Sequence, residues 1–256
     1  MKITCLLATA AILAAPFSLA VAKDAALAKA IAAPHRSPDF VERDKARKPQ
    51  EELEFFGIKP TLTVVEIAPG GGYWTEILAP YLQEKGTYYT AMSPKAAETF
   101  QKKLDGKPEV YGKVKITSMT EVAPAGTADL VLTFRNVHNW MGNGSVDQVF
   151  SSFFTALKPG GVLGVEEHRG SASVPQDPKA ASGYVREDYT IQLAEKAGFK
   201  YLGKSEILAN PKDTKDYPKG VWTLPPTLAQ GDVDRAKYVA IGEADNFVLK
   251  FEKPKK

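Results

Sequence analysis

Three short stretches of this chain hold side chains able to do chemistry. The first, Glu66-Ile67-Ala68-Pro69-Gly70-Gly71-Gly72, joins a carboxylate to a glycine loop directly after the β-type pair Val64-Val65. Glycines permit a tight turn and let backbone N–H groups come close to a ligand, and a helix starting at once adds a favourable dipole. The second, Arg135-Asn136-Val137-His138-Asn139-Trp140, packs a cation, two amides, an imidazole and an indole after an apolar strand. An imidazole titrates near neutral pH, so His138 is suited to take a proton from a substrate hydroxyl; a histidine hydrogen-bonded to backbone is the equally open alternative. The third, Glu166-Glu167-His168-Arg169, brings a second imidazole. His138, Glu167 and His168 are conceivable as metal ligands, but the two histidines lack a fixed short spacing and no metal is expected. Arg169 or Arg186 is placed to hold an anionic substrate group.

The surrounding sequence must position these groups. Strands are expected at about 61–67, 87–92, 114–117, 129–134 and 162–166, with helical stretches between most of them, and this alternation implies a mainly parallel sheet wrapped by helices. The helix near 73–84 contains Pro80, so a kink or early end is expected there. A helix over 145–157 carries the stripe Val146, Val149, Phe150, Phe153, Phe154 and Leu157, and Lys158-Pro159-Gly160-Gly161 stops it. Residues 44–56 read as one helix with Gly57 as its stop, and residues 23–43 as a weakly anchored lead segment. The last third has strands near 201–208 and 246–251, the second with one wetter face, and between them a Pro-, Lys- and Asp-rich insertion at about 210–231. In an open parallel sheet ligands bind beyond the carboxyl ends of the strands where strand order reverses. The ends of the first and fourth strands flank that point, so Glu66 and the 136–140 segment should face each other.

Composition narrows the partners. Met1-Lys2, the apolar run Ile3 to Ala22 and the closing Ala20-Val21-Ala22 describe a secretory signal peptide over 1–22, an uncleaved membrane anchor being the alternative. Export to the periplasm without stable membrane insertion is the expectation. The remaining chain suits one domain, 44–256, behind its lead segment. Cys5, the only cysteine, lies within the signal, which removes disulfides and thiolate chemistry from the mature chain. The net charge of +3 is spread along the sequence, so nucleic-acid binding has little electrostatic support and a small-molecule substrate is expected. Quaternary state is not legible.

The glycine loop resembles the acid-x-Gly-x-Gly-x-Gly loop of the S-adenosylmethionine-dependent methyltransferases of Rossmann-like fold, with Ala68 in place of the first glycine. Leu157-Lys158-Pro159-Gly160-Gly161 is similar to the family's turn before strand five, and the order of elements agrees over about 60–252. Within the family the chain looks like a bacterial group of exported predicted methyltransferases that carry Pro-Gly-Gly-Gly here and Asn-Val-His-Asn after strand four. The resemblance implies a doubly wound α/β fold, a mostly parallel seven-stranded sheet with helices on both faces and an antiparallel C-terminal strand. It implies S-adenosyl-L-methionine as cofactor, held by Glu66, Ala68, Pro69, Gly70, Gly71, Gly72, Met92, Ser118 and Asn136. Met92 stands where the family has an acid for the ribose hydroxyls, and Ser118 begins a Ser-Met-Thr run where an acid often lies near adenine. His138 and Asn139 are the expected catalytic pair; Tyr73, Trp140, Glu167, His168 and Arg169 are expected at the substrate. The implied reaction is methyl transfer to a small-molecule oxygen or nitrogen. The alternative is a periplasmic binding protein that keeps the fold and has lost the transfer.

Overall fold

The structure, a computed structural model, describes residues 24–255. The expected signal peptide and its cleavage site lie outside them. Seven strands form one sheet: β1 (Thr63–Ile67), β2 (Thr87–Met92), β3 (Lys115–Ser118), β4 (Ala128–Phe134), β5 (Leu157–His168), β6 (Lys200–Ser205) and β7 (Asn246–Glu252). Their order across the sheet is β3-β2-β1-β4-β5-β7-β6. β1 pairs in parallel with both β2 and β4, and β7 lies antiparallel between β5 and β6. The sheet's first reversal of order falls between β1 and β4, which puts the glycine loop and the end of β4 on the two sides of one crevice.

Alternation along the strands builds two apolar layers. Val65, Ile67, Val131 and Val165 point to one face, against the helix Val146–Ala156 with its Phe150 and Phe153. Val64, Leu130 and Leu132 point to the other, against Trp74, Ile77 and Leu78 beside and within the helix Thr75–Leu82. Period-2 burial on both faces is what a covered parallel sheet requires.

Three local expectations are corrected. The lead segment is not weakly anchored: it folds into helices Ala25–Ile31 and Pro38–Glu42 and buries Leu27 completely. One anchor is the proline in the helix after the glycine loop. Pro80 sits inside Thr75–Leu82 and has no N–H to give the carbonyl of Glu76, and His35 Nε2 takes that oxygen instead at 2.8 Å. Ser37 adds bonds from its N–H and its hydroxyl to the Glu76 carboxylate, both 2.7 Å. Second, the helix expected over 44–56 is broken into Asp44–Arg47 and Pro49–Phe56 at Lys48, which takes a left-handed φ of 42° ahead of Pro49; Gly57 does end it. Third, β5 begins at Leu157 and runs through the Lys-Pro-Gly-Gly turn, with an irregular register against β4 there. Residues beyond β4 form a further short helix, Val137–Asn143, closed by Gly144 in left-handed conformation. Among the described residues no helix is long and apolar enough to cross a membrane.

Candidate active site

Two cavities open on the carboxyl ends of the strands and share one wall. The first, about 500 Å³, is lined by Met92 and Ser93 at the end of β2, by Met119 and Thr120 after β3, and by Trp140. The second, about 380 Å³, is lined by Arg135, His138 and His168 at the ends of β4 and β5, and by Trp222 from the insertion. Ala68, Pro69, Gly70 and Asn136 belong to both walls.

The shared wall is built by the glycine loop. Ala68 has φ 48° and Gly70 φ 58°, both left-handed, so the loop turns sharply out of β1. In that region an alanine costs about 1–2 kcal/mol that a glycine does not, which is the cost of having Ala68 at the loop's first position. A Cβ on Gly70 would meet no atom within 4 Å, so the backbone there faces open ligand space. Gly72 is different. It lines neither cavity, and a Cβ on it would lie 2.8 Å from Lys103 Cε, so it serves packing against the helix Pro94–Asp105 and not ligand contact.

Beneath the loop, Glu66 is buried and its Oε2 accepts bonds from Thr75 Oγ1 at 2.6 Å and from the Tyr88 hydroxyl. The carboxylate thereby ties β1 to β2 and to the helix after the loop. Its Oε1 has no partner, although Glu66 contributes to the smaller cavity's wall. Burial pushes this carboxyl up to about 7, against the pull of the Thr75 and Tyr88 bonds and of Lys103. A carboxyl that titrates higher folded than unfolded favours the native state below its unfolded value of 4.5, and that contribution is lost as pH rises towards about 7. Glu66→Gln keeps the protonated shape at every pH. Its melting curve is expected to match wild type near pH 4 and to be more stable above pH 7, by a few kcal/mol at most; a variant less stable at pH 8 than at pH 4, relative to wild type, would contradict the assignment.

Asn136 closes the crevice from the other side. Its Nδ2 donates to the carbonyls of Ile67 at 3.1 Å and Phe134 at 3.2 Å, pinning the end of β4 to the end of β1. The following turn carries His138, 7% exposed. The parallel register that sets Phe134 beside Glu166 brings Glu167 under this turn. Glu167, fully buried, accepts from the backbone N–H of His138 at 3.1 Å, from His138 Nδ1 at 3.0 Å, and from the N–H of His168 at 2.8 Å. Burial would push its carboxyl up, but the charge and hydrogen bond of His138, with His168, hold it below the usual carboxylate range. Facing an ionised carboxylate, His138 Nδ1 is the donor, which leaves Nε2 as the nitrogen turned to the cavity.

His168 is fixed in the same way. Asn246 gives its Nδ2 to Glu166 Oε1 at 2.9 Å, so its Oδ1 accepts from His168 Nδ1 at 2.8 Å and Nε2 is again the free nitrogen. Burial, with help from Arg135 and His138, lowers this imidazole to about 4, so it is neutral at physiological pH. The two rings lie 5.6 Å apart, and Trp222 stands edge-on to His138 at 5.8 Å. Ligand atoms of His138, Glu167 and His168 lie within 4.8 Å of one another. Glu167 already accepts three N–H bonds, so the arrangement's plainest chemistry is that of an oriented base.

The structure moves several expected residues. Ser118 does not reach the larger cavity: its hydroxyl accepts from the Glu121 N–H in a local turn, and Met119 and Thr120 line the wall instead. Trp140 lies in the larger cavity against Phe153, away from the side where a substrate was expected. Glu167 is behind His138 and positions it, touching no cavity. Arg169 is spent on Glu187, Glu206 and Asp245, and Arg186 on Asp188, so neither holds a substrate anion in the crevice. Tyr73 lends its ring to the smaller cavity, but its hydroxyl donates to Asp44 at 2.6 Å. Asn139 is exposed on the smaller cavity's rim. Sequence reasoning missed Arg43, Arg47 and Glu243, which line the same cavity.

Residues 65–165 match the family model described as a methyltransferase domain. No curated protein matches the chain. Among solved structures, a SAM-dependent methyltransferase from Aquifex aeolicus superposes with a TM-score of 0.57 at 15% identity, over 85% of this chain and 94% of that one. The cyclase SpnF superposes with a TM-score of 0.57 at 14% identity, over 82% of this chain and 81% of that one. Phosphoethanolamine N-methyltransferase 2 of Haemonchus contortus, in complex with S-adenosyl-L-methionine, gives 0.54 at 16% identity, over 82% of this chain and 53% of that one. Residues 65–165 thus match a methyltransferase domain, and the whole sheet shares the fold of these solved structures.

Proposed function

We propose that this protein transfers a methyl group from S-adenosyl-L-methionine to an oxygen or nitrogen of a small molecule. The observation that carries the reading is the meeting of two cavities at Ala68, Pro69, Gly70 and Asn136, one large and mostly apolar, the other bearing a base. The larger fits a nucleoside: Met92, Met119 and Trp140 offer apolar faces, and Ser93 and Thr120 offer hydroxyls. Glu66 Oε1, unpartnered beneath the loop, is an acceptor suited to an ammonium group. When bound, S-adenosylmethionine supplies an electrophilic methyl on a sulfonium.

The chain's own residues do the remainder. Asn136 and the loop hold the donor side in place, so the two reactants meet already oriented. His138 Nε2 takes the proton from the acceptor, and Glu167 fixes the tautomer and balances the charge that forms on the ring. His168 stays neutral beside it and spares His138 a second positive charge. Incubation with S-adenosylmethionine and a panel of hydroxyl and amine compounds, reading S-adenosylhomocysteine release, tests the reading. Release that depends on one acceptor class supports it, and none from any acceptor turns the weight to a binding protein of the same fold. The feature favouring that second reading is the larger cavity's wall, where Met92 ends β2 and no lining residue is a carboxylate to take a ribose diol.

Site of action is part of the proposal. Export and cleavage after Ala22 would place the protein in the periplasm, with small molecules and not nucleic acid as partners. Intact mass of protein recovered from the periplasm should begin at Lys23, and a mass retaining Met1 to Ala22 would refute cleavage.

A further inference from the structure

Arg47 is 5% exposed, and its side chain makes no hydrogen bond to the protein among the described residues. Its guanidinium lies 4.3 Å over the ring of Tyr73, and its nearest carboxylate oxygen, on Glu243, is 3.9 Å from Nε. Glu243 is already gripped by Arg43 through two bonds of 2.7 Å and approached by Arg135 Nη1 at 3.3 Å. Three guanidinium groups therefore converge on one carboxylate, and the one with no bond of its own lines the smaller cavity beside His138. A buried guanidinium with unmet donors is costly, and its planar fork matches a carboxylate.

We propose that Arg47, backed by Arg43 and Arg135, is the receptor for a ligand's carboxylate in this cavity. The carboxylate belongs either to the amino-acid portion of the methyl donor or to the acceptor, an assignment that rests on the methyl-transfer reading above. Arg43 and Glu243 hold the receptor's frame. Arg47 supplies the donors.

Arg47→Met, similar in length and without charge, separates the sources. If the donor's carboxylate is held, the variant loses about tenfold or more in S-adenosylhomocysteine affinity, while methylthioadenosine, which lacks that carboxylate, binds both proteins alike. If the acceptor's carboxylate is held, both proteins bind S-adenosylhomocysteine equally. Acetate exchanged for chloride at constant ionic strength then raises the melting temperature of the loaded wild type and not of the variant. Equal S-adenosylhomocysteine affinity together with an equal acetate response in both proteins overturns the proposal. Should wild type bind no S-adenosylhomocysteine, the methyl-transfer reading fails by itself, and the acetate comparison on the free proteins still decides Arg47. Arg47→Lys keeps the charge but loses the fork; it should weaken the same response, and it replaces the methionine variant in every arm if that variant does not fold.

Discussion

Replacing His138 by alanine is expected to lower turnover by about two to four orders of magnitude while leaving S-adenosylhomocysteine affinity unchanged. The expectation rests on three bonds. Glu167 accepts from the His138 backbone N–H and from its Nδ1, and takes the N–H of His168 as well, so the imidazole is held with Nε2 turned free in a cavity that abuts the glycine loop. A histidine merely filling the core would not have its second nitrogen unpartnered on a cavity wall. Glu167→Gln should lose much of the same rate, because an amide can donate to Nδ1 and so favour the wrong tautomer. Asn136→Ala should behave in the opposite way, weakening S-adenosylhomocysteine before turnover, since Asn136 joins the two cavities and braces the end of β1. The measurement is kcat alongside S-adenosylhomocysteine affinity for each variant. Unchanged turnover in His138→Ala would return the residue to a packing role.

Gly70→Val should abolish S-adenosylhomocysteine binding and leave the sheet folded. Gly70 has a left-handed backbone and open space where a Cβ would go, and that space is the junction of both cavities. Valine brings two costs. Its β-branched side chain fills the ligand's place, and its backbone strain lowers stability by about 1–2 kcal/mol, well short of a domain's total. Far-ultraviolet circular dichroism and a denaturant titration check the fold; calorimetry checks the ligand. Wild-type affinity in the variant would mean that the loop tip faces away from the ligand.

What could be read in advance was local. The glycine loop and the stripe around Phe150 and Phe153 declare themselves within a few residues, because turn chemistry and helical period are short-range properties. The mainly parallel sheet followed from the alternation of elements, and the antiparallel last strand from the family resemblance. The pairing of His138 with Glu167 was not legible, since 29 residues separate them and only the β4–β5 register brings them together. Arg43 hid at the end of a stretch that looks loosely attached, whose attachment depends on His35 reaching the carbonyl that Pro80 cannot serve, and Arg47 hid in the helical stretch that follows it. In the case of Arg186 a local signal existed: Asp188 is two residues away and takes the guanidinium at 2.5 Å.

The proposed function requires that the crevice between β1 and β4 bind S-adenosylmethionine. Isothermal calorimetry of residues 23–256 with S-adenosylhomocysteine tests it most directly, with NAD as the control ligand. One saturable site for S-adenosylhomocysteine that Gly70→Val removes is expected, with no heat from NAD. Absence of S-adenosylhomocysteine binding to the folded wild type, or equal binding by Gly70→Val, would contradict it.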